Sequence, residues 1–322
     1  MMNRLIKRIN TNFENVESIN AITSAASLAY HGLLSIVNTL TMRDMDLSSV
    51  PTSHMTKLAY CAEKDITINN ATGFDLVGFL KKIPYGEQLN IDEQSLNDDE
   101  AQALMKILGR VDIVETSDKT FLNLVNRTAE RLTEKLSSSD IPIQEGRYIN
   151  QDLITASILA NHGFIKTMDH LSLKNINDNS IIIQWGMSSL FVCVHGSMAL
   201  RNIDDDGPTR RYPQIPNSSL VQILKLVSVK DLFISSQIMG SKSSKTLVGT
   251  MARRVRTVKL GEQVTLDIKT FTEYDGMGKC STVMCVQDTA ERYKKDLMDW
   301  AQKINWDVDL LNNYIIVHRS EG

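Results

Sequence analysis

Gly240 to Thr246, GSKSSKT, lies where a strand pattern gives way to a helix pattern, the place where a phosphate loop holds anionic oxygens on backbone amides. The second glycine of G-x-x-x-x-G-K-[ST] is missing. The matching residues earlier in the chain are Asn97, Asp98, Asp99 and Glu100, whose charges would repel phosphate, so a helix start without a ligand is expected. Asn202, Asp204, Asp206 and Gly207 match the opening of a calcium loop, but Pro213 stands where the bidentate glutamate is needed. This reads as an inserted, solvated loop, with Arg210 and Arg211 beside the acidic run. Cys193 and His195 have the spacing of a thiol–imidazole pair, yet no third group is evident and Glu63 occupies the matching earlier position. A buried thiol beside a bystander histidine is expected. Arg253, Arg254, Arg256 and Lys259 form the densest basic group, and no aromatic residue interleaves them to stack on bases. No spaced carboxylate pair, His-x-x-x-His or Gly-x-Ser-x-Gly occurs. The expectation is a non-enzymatic chain with no cofactor and no metal.

The elements that would position these residues are best read from Glu87 to Asp118, a strand–turn–helix–turn–strand unit. Leu89 and Ile91 alternate with Asn90 and Asp92, as in a strand with one buried side. Gln94 and Leu96 continue the inward set. Asn97 and Glu100 have the spacing of a capping box, and Asp98 and Asp99 place negative charge at the positive end of the helix dipole. Ala101, Leu104, Ile107 and Leu108 share one helical stripe, and Gly109 is the expected C-terminal stop.

That unit recurs. Residues 22–47 and 153–178 match without gaps at an offset of 131: Ala25 meets Ala156, Leu28 meets Leu159, His31-Gly32 meets His162-Gly163 and Leu40 meets Leu171. Cys61 meets Cys193 one residue later, and RVDIV at 110–114 meets RVRTV at 254–258. The recurring His-Gly pairs predict a helix-terminal role, because a catalytic centre is seldom duplicated within one array. Strand patterns begin near Leu40, Asp65, Gln88 and Arg110, then near Leu171, Ser197, Asp231 and Arg254, with two more at 280–286 and 314–317. Strands every 20–29 residues with a short crossover between them imply parallel neighbours. The domain reading is a capping helix over 1–21 (with Leu5, Ile6, Ile9 and Phe13 on one stripe), a repeat module over 22–132, a linker over 133–150, a second module over 151–268 and a C-terminal cap over 269–322.

The strand motif of Leu89, Ile91, Gln94 and Leu96, and of Leu232, Ile234, Gln237 and Met239, resembles a degenerate leucine-rich repeat of ribonuclease-inhibitor type. The usual turn asparagine is replaced by Met45, Gln94, Ile176 or Gln237, so the buried asparagine ladder is expected to be missing. The blocks at 47–61, 264–280 and 288–306 are similar to leucine-rich-repeat proteins of chordates, fish especially, related to intracellular innate-immune receptors. The resemblance covers about residues 22–317. It implies an α/β solenoid of βα units with parallel strands in two homologous halves, acting as a sensing or scaffolding part of a larger assembly.

Such an array offers its strand face to a protein partner. The outward strip expected in the first half includes Thr41, Arg43, Thr67, Asn69, Asn90, Asp92, Asp112 and Val114; in the second it includes Ser172, Lys174, Arg201, Phe233, Ser235, Arg256 and Val258. Arg43, Asn69, Asp92, Asp112, Lys174, Arg201, Phe233 and Arg256 are the expected partner-binding residues. Charge is consistent with this choice. The chain carries 35 basic and 38 acidic residues, a net −3 that does not suit a whole-chain nucleic-acid binder. Residues 1–140 balance to −5 and residues 141–322 to +2, which leaves weak anion or nucleic-acid binding through the second half as one alternative. A doubly wound α/β enzyme is the other, and it would need a Gly-rich strand-to-helix turn that is not present. No run of about 18 apolar residues occurs, and the start of the chain has no uninterrupted apolar segment, so neither a membrane span nor a signal peptide is expected. The four cysteines form no C-x-x-C and read as reduced thiols of a cytoplasmic protein.

Overall fold

The computed structural model describes residues 15–142, 144–145, 148–174, 187–201, 217–235, 238–261, 264–267, 282–311 and 314–319. The expected N-terminal helix with Leu5 and Phe13, the calcium-like motif from Asn202 to Gly207, Arg210 and Arg211, and Ile176, Gln237 and Cys280 lie outside the described residues. The chain divides into two units, 1–128 and 129–322.

In the first unit, strands and helices alternate: β1 (Asn15–Val16), α1 (Ile19–Tyr30), β2 (Val37–Asp46), α2 (Thr52–Cys61), β3 (Ala62–Thr72), α3 (Leu76–Leu80), β4 (Gly86–Asn90), α4 (Asp98–Ile107) and β5 (Val111–Glu115). The five strands form one parallel sheet in chain order, β1-β2-β3-β4-β5. Sequential order with crossovers of one hand brings every helix to the same side. Consecutive helices accordingly pack on one another, α1 on α2, α2 on α3 and α3 on α4. One strand column, Leu40, Ile66 and Leu89, is fully buried with Met42, Ile68 and Ile91 beside it. The capping box forms as expected, with Asn97 Oδ1 accepting from Glu100 N and Glu100 Oε2 accepting from Asn97 N. Ala101, Leu104, Ile107 and Leu108 are buried. Gly109 is not a left-handed stop, however; α4 tightens into a 3₁₀ turn over Leu108–Arg110.

The division between units falls inside α5 (Lys119–Ser138). The second unit continues with β6 (Asp140–Pro142), β7 (Gln144–Glu145), β8 (Tyr148–Ile149), α6 (Gln151–Asn161), β9 (Met168–Lys174), α7 (Met187–Cys193), β10 (Val194–Arg201), α8 (Asn217–Leu226), β11 (Asp231–Ile234), β12 (Ile238–Met239), α9 (Ser241–Arg253), β13 (Thr257–Leu260), β14 (Thr265–Leu266), β15 (Thr282–Val286), α10 (Gln287–Lys303), β16 (Trp306–Leu311) and β17 (Tyr314–Arg319). Its main sheet runs β6-β9-β10-β11-β13-β15 in parallel, then turns antiparallel through β17 and β16. The stretch 133–150 is thus more than a linker: β6 is the edge strand of this sheet, paired with β9. At the other edge the antiparallel hairpin ends the parallel run, and Trp300 of α10 is buried with its ring 5.9 Å from that of Trp306.

Internal duplication is visible atom by atom. Gly32 (φ 70°) and Gly163 (φ 76°) end α1 and α6, with matching bonds from Gly32 N to Ala29 O and from Gly163 N to Ala160 O. The left-handed glycine stops α1 at Tyr30. Cys61 Sγ donates to Leu34 O and Cys193 Sγ to the equivalent Ile165 O. Arg110 and Arg254 each donate from Nη1 to a carbonyl of the preceding repeat, Lys81 O and Lys225 O.

Candidate partner-binding face

Ladder register fixes which side chains share the side opposite the buried columns. In the first unit, Thr39, Asp65, Gln88 and Ile113 form one such column and Thr41, Thr67, Asn90 and Glu115 the next; all are half-buried or exposed. In the second unit the columns are His170, Ser197, Asp231 and Thr257, then Asp140, Ser172, Ala199, Phe233 and Lys259, then Lys174 and Arg201. Between them Leu171, Met198, Leu232 and Val258 are buried, as are Leu173, Leu200, Ile234 and Leu260.

Thr41, Arg43, Thr67, Asn90, Lys174, Arg201 and Phe233 of the expected strip lie half-buried or exposed on this side, and three parts of the strip do not. Asp112 is in register one residue before Ile113 and Val114 is in register with buried Leu89, so the outward pair of β5 is Ile113 and Glu115. In β13, Arg256 precedes the ladder and Val258 is buried; the outward pair is Thr257 and Lys259. Val111-x-Ile113 and Val255-x-Thr257 look like the inward pair of a strand, but Val111 pairs with Gly86, which puts Ile113 in the outward column with Gln88, and Val255 precedes the ladder of β13. Val255 N still bonds Thr250 O, and the preceding arginine is tied to a neighbouring carbonyl. The inward pair in β13 is Val258-x-Leu260, three residues later.

The third correction concerns Asn69 and Asp92. Asn69 is 7% exposed, and its Oδ1 accepts from Asp92 N at 3.0 Å. Asp92 Oδ1 in turn accepts from Ser117 N at 3.1 Å. Both side chains are spent on the backbone of the next repeat. Ser235 and Ser172 are also buried. Arg43 remains exposed at the end of β2.

The two faces differ in charge. Asp65 and Glu115 are the charged residues of the first unit's two columns, whereas Lys174, Arg201 and Lys259 outnumber Asp140 and Asp231 in the second. Asp140 bonds the Ser172 hydroxyl and lies 3.6 Å from Arg201 Nη1. Arg201 Cζ is 5.2 Å from the Phe233 ring centroid and Lys259 Nζ 5.9 Å, so two cations flank one aromatic. Three buried polar atoms lack a hydrogen-bond partner among the described residues: Asn90 Oδ1, Arg201 Nε and Ser235 Oγ. Lys259 and Asp140 were not expected here. Lys259 could have been found by aligning the apolar-x-apolar pairs, and Asp140 was hidden in a stretch that looks like a linker.

The other candidate chemistries are absorbed by structure. Ser243 and Ser244 are fully buried and bond Gly240 O and Met239 O, which turns the phosphate-loop-like stretch inward on its own backbone. Cys193 is buried while His195 is exposed. Burial raises the Cys193 thiol above its ordinary range. Burial raises Cys61 likewise, helped by Glu63 and opposed by Lys57. Among the described residues no group of three His, Cys, Asp or Glu could hold a metal ion, and no helix is long and apolar enough to cross a membrane. No protein-family model matches the chain, and no curated protein matches it.

Proposed function

We propose that the chain is a leucine-rich-repeat-like solenoid that serves as a non-enzymatic interaction module, and that a protein partner docks across its strand face. The observation that carries this reading is the ladder itself: in the first unit buried columns alternate with half-buried or exposed ones, and in the second the outward columns are half-buried or exposed at His170, Ser197, Asp231, Thr257, Phe233 and Lys259 and closed at Ser172 and Ala199, on parallel strands whose helices pack consecutively on one another. A side of the sheet left open in this way, with mixed charge, has the form of an interaction surface. The side-chain bonds from Asn69, Asp92 and Gln94 to neighbouring repeats support the repeat reading, since they do the work of an asparagine ladder.

Affinity capture on the full chain followed by mass spectrometry would supply the partner. Lys174→Glu combined with Lys259→Glu should then abolish capture, because both residues lie on the face. Arg253→Glu combined with Arg256→Glu should leave it intact, because neither is in an outward column. Equal losses from the two pairs, or no loss from the first, would overturn the reading.

A further inference from the structure

At its C-terminal edge the face of the second unit ends on one row. Lys174 is in register with Arg201, Ser235 N donates to Leu200 O at 3.1 Å, and Gly261 N donates to Ile234 O at 2.7 Å. These bonds set Lys174, Arg201, Ser235 and Gly261 side by side on successive strands, about 4.8 Å apart. Phe233 and Lys259 stand two residues earlier on their strands, on the same side.

Three features of this row point to a ligand. The Phe233 ring is laid against the backbone of Gly261: a Cβ there would fall 2.8 Å from Phe233 Cζ and 3.0 Å from Ser235 Cβ. The ring is therefore seated, with Arg201 and Lys259 beside it. Ser235 is 6% exposed and its Oγ meets no hydrogen-bond partner among the described residues. Arg201 Nε is equally buried and equally unpartnered, and the 3.6 Å from Nη1 to Asp140 Oδ2 is too long for a hydrogen bond. A guanidinium has five N–H donors in a planar fork suited to a carboxylate. Buried donors are normally satisfied, so Arg201 Nε and the Ser235 hydroxyl await an acceptor.

We propose that this row is a carboxylate pocket, which rests on the strand-face reading above and names what the face takes: an Asp or Glu in an extended acidic segment of the protein partner. Its carboxylate accepts from the Arg201 fork and from the Ser235 hydroxyl, and an apolar neighbour in the same segment lies on Phe233. Asp140 disfavours a dianion such as a phosphate beside Arg201. A single aromatic, with Ser172 and Ala199 next to it in the column, is not a stacking platform for bases.

The test uses the full chain and a fluorescein-labelled peptide of Glu and Ser around one Phe, with a Gln-for-Glu copy, a phosphoserine-for-Glu copy and an oligothymidylate as contrasts. Anisotropy should show the Gln copy binding at least about tenfold more weakly, as expected when a charged hydrogen bond is lost. Arg201→Gln should lose about as much. Arg201→Lys should recover only part of it, because an ammonium cannot reproduce the fork. Ser235→Ala should lose a few-fold. The peptide swap leaves the protein unaltered, so its outcome does not depend on how any variant folds. Equal binding of the Glu and Gln copies, or tighter binding of the phosphoserine copy or the oligothymidylate, overturns the pocket. If Lys174→Glu with Lys259→Glu loses the captured partner while Arg201→Gln keeps it, the pocket falls and the strand face stands. If neither variant loses it, both fall.

Discussion

Gln94 grips Ala71 of the preceding repeat at both ends of its peptide unit: Oε1 accepts from Ala71 N at 3.0 Å, and Nε2 donates to Ala71 O at 3.1 Å. The side chain thereby ties the turn after β4 to the end of β3. The strand ladder has ended at Asn90, and the side chain carries the pairing past the bend at Glu93. Asp118 does the same for the next turn, accepting from Leu96 N at 3.1 Å.

Gln94→Met keeps the length of the side chain but removes both its acceptor and its donor, leaving Ala71 N and Ala71 O without it. The expected loss is about 1–3 kcal/mol, the cost of a half-buried polar group left unmet. Hydrogen exchange at the Ala71 amide measures it locally and should accelerate, with Ile66 and Leu89 protected as before. Unchanged exchange at Ala71 would show that the bidentate bond contributes nothing.

The bends have their own pattern. Asp44 (φ 50°), Asn70 (φ 49°) and Glu93 (φ 54°) occupy the left-handed region at the ends of three successive strands, and Asn70 Nδ2 bonds Asp44 Oδ1 at 2.8 Å. Asp and Asn tolerate this conformation; glutamate does not, and its strain is roughly 1–2 kcal/mol. Glycine gives back about 0.5–1 kcal/mol through the entropy of the unfolded chain. Glu93→Gly should therefore stabilise the first unit by about 0.5 kcal/mol, and Glu93→Val should destabilise it by about 1 kcal/mol or more. Urea midpoints of the two variants should move in opposite directions; a shift in the same direction would refute the strain.

These bends explain what could and could not be read from the chain. The parallel βα order, the capping box of Asn97 and Glu100 and the duplicated His-Gly stops are local in sequence and were legible. Register is not local. Val111, which opens its strand, and Val255, which precedes its strand, are equally apolar, and only the hydrogen bonds of the neighbouring strands show the register, which moves Asp112 and Arg256 off the face. Asn69 looks like any outward polar residue until the backbone of Asp92 turns toward it. The antiparallel hairpin of β16 and β17 was hidden because alternation does not report strand direction.

Two glycines separate conformational cost from steric cost. Gly163 (φ 76°) has nothing within 4 Å of where a Cβ would stand, so Gly163→Ala should cost only the left-handed penalty, about 1 kcal/mol. Gly73 (φ 77°) would place its Cβ 2.3 Å from Asp46 Oδ1 and 2.5 Å from Ser48 N. Gly73→Ala must break the Asp46–Ser48 turn, whose hydrogen bonds hold the Asp46 carboxyl below its usual range. Its loss should exceed that of Gly163→Ala, read as the difference in denaturation midpoints. Equal losses would mean that the turn moves aside freely.

The two equivalent thiols, Cys61 and Cys193, make stability depend on alkaline pH with a definite sign. Both are buried and both donate to a carbonyl, Leu34 O at 3.4 Å and Ile165 O at 3.1 Å, a bond that requires the proton. Burial is the main cause of the raised ionisation at each site. An acid whose folded pKa lies above its unfolded value holds its proton more tightly when folded, so its contribution is complete below the unfolded value of about 8.5 and is lost as pH rises beyond it. Cys61→Ser with Cys193→Ser keeps the donors and removes the titration. The urea midpoint of the unaltered chain should fall more steeply than that of the double variant between about pH 8.5 and 10. Every other alkaline group is common to both proteins, so the difference between the two curves isolates this pair. Parallel curves would show that the thiols ionise as readily in the fold as out of it.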